Sequence, residues 1–276
     1  MSRDQGAPAV ESWDVPAHSV LTLRPATRDY CVSVFVLNEG ERIRTQLRRM
    51  TTLTDSVDVV VADGGSIDGA LDEAFLRSTA VTTLLTKTGP GRLSAQMRMA
   101  FAHALGQGYR GVVTIDGNGK DDPEDIPRLV RALEEGYDHV QGSRFLPGGR
   151  AINTPWARLL GIRLIHAPLI SWAAGVRYTD TTNGFRAYSR RLLTDPRVAP
   201  FRSVFSGYEL HYYLAIRAAR LAHRTVEVPV TRRYPARGRV PTKIKPLTGH
   251  YVVLKSLVQA CLGRFDPKEP GTAAKE

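Results

Sequence analysis

Cysteine is nearly absent: the 276 residues hold two, Cys31 and Cys261. Each sits in an apolar run, so both read as buried thiols, and a disulfide framework is excluded as the basis of the fold. No group of His and Cys stands at metal-ligand spacing, which argues against a zinc centre. Aromatic residues make up only 8% of the chain and do not cluster as stacking platforms, a poor match to a nucleic-acid surface. No apolar run reaches the roughly 20 residues of a membrane-spanning helix. The nearest, 159–176, is broken by Arg163, His166 and Pro168. It reads as an amphipathic helix, either packed on the core or laid in a membrane interface. A charged-then-apolar leader is lacking as well, so a cytoplasmic protein is expected, with contact at the inner face of the membrane left open.

Positive charge, by contrast, is in excess. Lys and Arg number 38 against 27 Asp and Glu, a formal net charge of +11. That balance calls for an anionic partner without choosing among nucleic acid, anionic lipid and phosphorylated small molecules. Hydrophobic and charged contents of 42% and 24% are those of a globular protein, and the length suits one enlarged α/β domain.

From Cys31 the pattern is regular. Buried-strand runs at 31–37, 57–62, 81–86 and 111–116 alternate with helices predicted near 39–50, from 68, at 92–105 and at 122–135. The last of these opens on Asp122-Pro123-Glu124-Asp125, with an N-cap acid and proline at the first helical position. β-branched strands alternating with helices specify a mostly parallel, Rossmann-like sheet covered on both faces. Such sheets bind ligands beyond the carboxyl ends of their strands. Asn38-Glu39, Asp63, Gly89 to Arg92 and Asp116 all fall there. The second half is less regular, with helices near 155–176, 207–221 and 247–262 and a strand at 225–231. Residues 1–29 are expected as a loose arm, 30–245 as the folded domain and 246–276 as a helix and tail.

Six segments stand in order: VFVLNEGERI at 34–43, VVVADGGSIDGA at 59–70, IDGNGKDDPEDI at 115–126, GSRFLPGG at 142–149, DTTNGFRAY at 180–188 and VEVPVTRRYPARG at 226–238. Together they resemble the GT-A family 2 glycosyltransferases, in particular the polyprenyl-phosphate sugar transferases. The resemblance implies an α/β GT-A fold and inverting transfer from a UDP- or GDP-linked sugar. It also implies Mg2+ or Mn2+ as cofactor, and polyprenyl phosphate or a small-molecule hydroxyl as acceptor. The donor half would be 30–145 and the acceptor half 146–245.

Carried residue by residue, the resemblance places Leu37, Asn38, Glu39, Asp63, Gly91, Arg92, Asp116 and Gly117 at the nucleotide sugar. Here Leu37 replaces a tyrosine and Gly64 the second acid of an Asp-Asp pair. Asp116 and Asn118 stand where relatives hold the metal with Asp-x-Asp; the amide brings an oxygen but no charge. Arg144, Arg158, Arg163, Gly184, Phe185 and Arg186 are expected on the acceptor or diphosphate side, with Arg237 and Lys243 in a mobile basic loop. A hydroxyl acceptor needs a general base, for which Glu209, Asp180 and His211 are the candidates; a phosphate monoester does not. Two rivals are a sugar-nucleotidyltransferase, which wants a Gly-x-Gly-Thr-Arg loop that 31–43 lacks, and a basic nucleic-acid-binding protein, which predicts steep salt dependence.

Overall fold

The computed structural model describes residues 13–53, 55–236 and 248–267. Ten strands run β1 His18–Thr22, β2 Tyr30–Val36, β3 Asp58–Asp63, β4 Val81–Lys87, β5 Gly111–Asp116, β6 His139–Ser143, β7 Arg150–Ile152, β8 Arg186–Ser189, β9 Thr225–Pro229 and β10 Thr231–Arg233. The α-helices are α1 Glu41–Arg49, α2 Glu73–Arg77, α3 Leu93–Gly106, α4 Ile126–Glu134, α5 Trp156–Gly161, α6 Ala167–Ala174, α7 Arg190–Thr194, α8 Glu209–Arg220 and α9 Thr248–Cys261.

Eight strands form one sheet in the order β1-β4-β3-β2-β5-β8-β6-β9. β4, β3, β2 and β5 are parallel, as are β6 and β9; β1 and β8 run against their neighbours. The mostly parallel sheet expected from the strand pattern is therefore present. Every residue of β2 is buried. Alternate side chains explain why: Cys31 and Phe35 enter a core shared with α3, α6, α8 and α9, while Val32, Val34 and Val36 enter a second core with α1 and α4. Each fully buried Val or Leu contributes roughly 1.5–3 kcal/mol.

Three departures from the sequence reading have local causes. Residues 18–22, assigned to a loose arm, form β1, which pairs antiparallel with β4, and Trp13 stacks on Phe201 with ring centres 4.0 Å apart. The segment Arg186-Ala-Tyr-Ser189, read only as part of a loop motif, is an antiparallel strand inserted between β5 and β6. The helix expected at 155–176 is present, but Ile162–His166 adopts a π-helical turn between α5 and α6. Among the described residues no helix is long and apolar enough to cross a membrane.

Candidate active site

The carboxyl ends of β2, β3, β4 and β5 open on a cavity of about 390 Å³, closed on its far side by residues 181–184, α5, α8 and α9. Asp116, the last residue of β5, lines it. The turn after it is possible because Gly117 has no side chain: a Cβ there would come within 2.9 Å of Val36 Cγ2 and 3.0 Å of the Phe35 carbonyl. Gln46 of α1 fixes that turn, donating to the Asp116 carbonyl at 3.1 Å and accepting from the Gly119 N–H at 2.9 Å. Gly184 closes on the other side, where its missing Cβ would stand 3.2 Å from Asp116 Oδ1.

The electrostatics centre on Arg232 of β10. It is buried and ion-paired to Asp121, donates to Asn183 Oδ1 at 2.9 Å, and approaches Asp116 Oδ2 at 3.3 Å. Burial pushes Asp116 toward its neutral form, but Arg232 and Lys120 overcome this and hold the carboxyl below its usual range. Asp121, deeper and with one oxygen unpartnered, is raised by burial. Burial pushes Arg232 down, but Asp121, Asp116 and Tyr234 together raise it above its ordinary range. Burial and Arg232 both lower Lys120. His211 of α8 is pushed down to about 3 by burial and by Arg186, opposed by Asp116, so its imidazole is neutral near pH 7. Its Nε2 is buried with no hydrogen-bond partner.

The cavity gathers many of the residues expected from sequence: Leu37, Glu39, Gly91, Arg92, Asp116, Asn118, Arg158, Gly184, Arg186 and His211 all line it. Glu39 also pairs with Arg42 at 2.8 Å. Others are turned elsewhere. Asn38 and Asp63 organise the neighbouring turns: Asn38 Oδ1 accepts from the Ile67 N–H, and Asp63 accepts from the backbone and hydroxyl of Ser66. Gly117 and Phe185 are packed behind the wall, Phe185 fully buried in the second core. Arg144, expected to bind phosphate, is buried against Asp180 in a two-point pair of 2.7 and 2.9 Å. The same pair removes Asp180 as a general base. Glu209 bends back to accept from the Gly207 N–H at 2.7 Å, just ahead of its own helix. Arg163 faces a second cavity, away from Arg158. The Asn118 carbonyl accepts from the Lys120 N–H and its amide donates to Asp116, so it orients the carboxylate. Arg237 and Lys243 lie outside the described residues.

Sequence reasoning missed Lys87, Gln96 and Lys120 in the lining, and read Arg232 as the start of the mobile basic loop where the structure has it as a buried residue of the wall. Gln96 donates to the carbonyls of Val36 and Ala62, bridging two strand ends. With these included, the wall carries Lys87, Arg92, Lys120, Arg158, Arg186 and Arg232 against the acids Glu39 and Asp116. Such a surplus, at a strand-end crevice, selects a ligand carrying several negative charges.

A sheet-edge cavity of this kind suits a polyanionic ligand, and comparison with known proteins identifies the family. The family model "Glycosyl transferase family 2" matches residues 31–196. The polyprenol monophosphomannose synthase of Mycolicibacterium smegmatis is 32% identical over 213 residues, covering 76% of this chain and 79% of that protein. The undecaprenyl-phosphate mannosyltransferase of Micrococcus luteus is 33% identical over 204 residues, covering 70% and 79%. The crystal structure of glucosyl-3-phosphoglycerate synthase from Mycobacterium tuberculosis with Mn2+, UDP and phosphoglyceric acid shares the fold, with a TM-score of 0.61 at 21% identity over 90% of this chain and 82% of that one. The chain belongs to glycosyl transferase family 2. Its fold is GT-A, and it is a hexosyltransferase.

Proposed function

We propose that the chain transfers a hexose from a nucleoside diphosphate sugar, UDP- or GDP-linked, to a polyprenyl phosphate by direct displacement at the anomeric carbon. Residues 30–145 serve the donor and 146–245 the acceptor. The observation that carries the acceptor reading is the fate of the three candidate bases. Asp180 is sealed by Arg144, Glu209 is turned back onto the Gly207 N–H, and His211 is too weak a base. The acids lining the cavity, Glu39 and Asp116, are engaged by Arg42 and Arg232. An alcohol acceptor would need one of these groups to take its proton; a phosphate monoester arrives with its nucleophilic oxygen already ionised. Arg158, reaching the cavity from α5 and set 3.4 Å from the Tyr234 hydroxyl, suits that phosphate.

Among the described residues no group of three His, Cys, Asp or Glu side chains could hold a metal ion. An ion that shares its coordination with a diphosphate needs fewer protein ligands. Asp116 Oδ1 and the unpartnered Nε2 of His211 fit that demand, and they are close enough for each to shift the other's proton affinity. A Mg2+ or Mn2+ bound there supplies positive charge to the departing diphosphate. The chain's own part is to hold the diphosphate among Arg92, Lys120 and Arg232 and to keep His211 unprotonated.

The test is transfer to a short polyprenyl monophosphate and to the corresponding polyprenol, run beside a thermal-shift panel of nucleoside diphosphates with and without Mn2+. Product from the monophosphate alone is expected. Equal transfer to the alcohol would sink the acceptor reading, and a panel without any shift would sink the donor reading.

A further inference from the structure

The cavity runs across the strand ends, and its two sides differ in chemistry. Asp116, Lys120 and Arg232 stand with β5, whereas Gly64 and Lys87 stand at the ends of β3 and β4. Two strand spacings, about 10 Å, separate β5 from β3. A diphosphate held on the first side therefore carries its nucleoside toward the second. The side chain that meets it there is Gln96, buried in the first turn of α3 and lining the cavity.

The orientation of that amide is fixed. Both N–H groups of Nε2 are spent on the carbonyls of Val36, at 2.9 Å, and Ala62, so the amide cannot flip. Oε1 is then the atom left for a ligand, and no donor among the described residues is bonded to it. Gly64 is what leaves it open: a Cβ there would lie 3.4 Å from Oε1 and 3.3 Å from the Val36 carbonyl. The acids nearby do not compete. Asp63 is buried, with both oxygens accepting from Gly65 and Ser66, and Glu39 is paired with Arg42. Lys87 lies on the same side, its Nζ anchored on the Gly89 carbonyl at 2.6 Å with two N–H groups still to give.

We propose that Gln96 reads the base of the donor, with Oε1 accepting the ring N3–H of uracil and Lys87 donating to a flanking carbonyl; this rests on the nucleoside diphosphate donor proposed above. The uracil edge alternates carbonyl, N–H and carbonyl, which one fixed acceptor and one cation can match. Guanine instead places two N–H donors side by side, at N1 and N2, and wants two acceptors, as a carboxylate provides. With residue 64 a glycine and Asp63 spent on its own turn, the end of β3 has no carboxylate to offer. A polar site discriminates strongly when the wrong ligand leaves its buried groups unpaired. The pocket therefore selects a uridine diphosphate sugar over a guanosine diphosphate sugar.

The experiment is calorimetric binding of UDP, its N3-methyl analogue, GDP and inorganic pyrophosphate, all with Mg2+. On the wild type, N3-methyl-UDP and GDP are each expected to bind about tenfold or more weakly than UDP, the effect of one buried polar group left unpaired. Gln96→Met should bring UDP down to the level of the methyl analogue while pyrophosphate binding stays as it was. A merely structural role for Gln96 would not remove discrimination at the base and spare the diphosphate. Should that variant melt early because two carbonyls are stranded, the wild-type comparison decides alone. An N3-methyl analogue or a GDP as tight as UDP overturns the base assignment and leaves the donor reading standing. So does a folded Gln96→Met that still tells UDP from its analogue. Failure of both nucleotides to bind overturns the donor reading and the base assignment with it.

Discussion

Two arginine–carboxylate pairs, Arg144–Asp180 and Arg232–Asp116, meet different fates. Arg144 and Asp180 are both essentially without exposed surface, joined at two points, with Thr182 satisfying a further donor. Arg232 and Asp116 meet more loosely at 3.3 Å, and Asp116 keeps 26% of its side-chain surface open to the cavity. The chemistry of the partners is the same. What differs is whether any valence is left over: the sealed pair has spent its charges on the fold, whereas the open pair leaves Asp116 Oδ1 available to a ligand. A buried charged pair is a poor stabiliser compared with apolar packing, yet breaking one side of it is costly. The two pairs should therefore fail in opposite ways.

The largest expected effect is at the open pair. Asp116→Asn should lower transfer by about a thousandfold while leaving the melting temperature near that of the wild type; activity within tenfold of wild type would remove Asp116 from the chemistry. At the sealed pair, Asp180→Ala should destabilise the protein by about 3–5 kcal/mol in denaturant melts, because it strands the Arg144 guanidinium. The double replacement Arg144→Met, Asp180→Leu should recover most of that loss. A single variant as stable as the wild type would show the pair to be dispensable.

A smaller effect comes from His139, the first residue of β6. Burial, then Arg186 and His211, hold it well below its ordinary value of 6.5. Its neutral form is thus the native one, and the unfolded chain takes up the proton first. The stability this contributes is complete above pH 6.5 and declines as pH falls from there toward the native value, with a slope of up to about 1.4 kcal/mol per pH unit. His139→Gln should flatten that acid limb in melts taken across the window. An unchanged slope would assign it to other groups.

The legible parts of the site were those where a strand ends on a polar residue. Glu39 and Asp116 were readable because a continuous apolar run stops beside each, and Gly184 because it interrupts a motif of known order. Arg232 was not readable as a site residue. It stands in Arg232-Arg233-Tyr-Pro-Ala-Arg, which looks like an exposed basic loop. Only the alternation of β10, with Arg232 inward and Arg233 outward, distinguishes them, and three residues are too few to reveal a period. Asp180 misled for the opposite reason. Its motif marked it as functional, while its partner Arg144 lies 36 residues earlier, and nothing local announces that the two meet. The mostly parallel sheet was written in the runs of β2, β3, β4 and β5. β8 was hidden because Arg186-Ala-Tyr-Ser189 is short, and its first residue is a buried arginine that bonds only carbonyls.

Gln46 joins α1 to the stretch 116–119 through one amide that both gives and receives. A side chain with a single such group cannot let go of one end without loosening the other. The helix that follows Glu39 and the turn that carries Asp116 are in this sense one mechanical part. Wherever a ligand settles the beginning of that helix, the Asp116 carboxylate is carried along as its passenger.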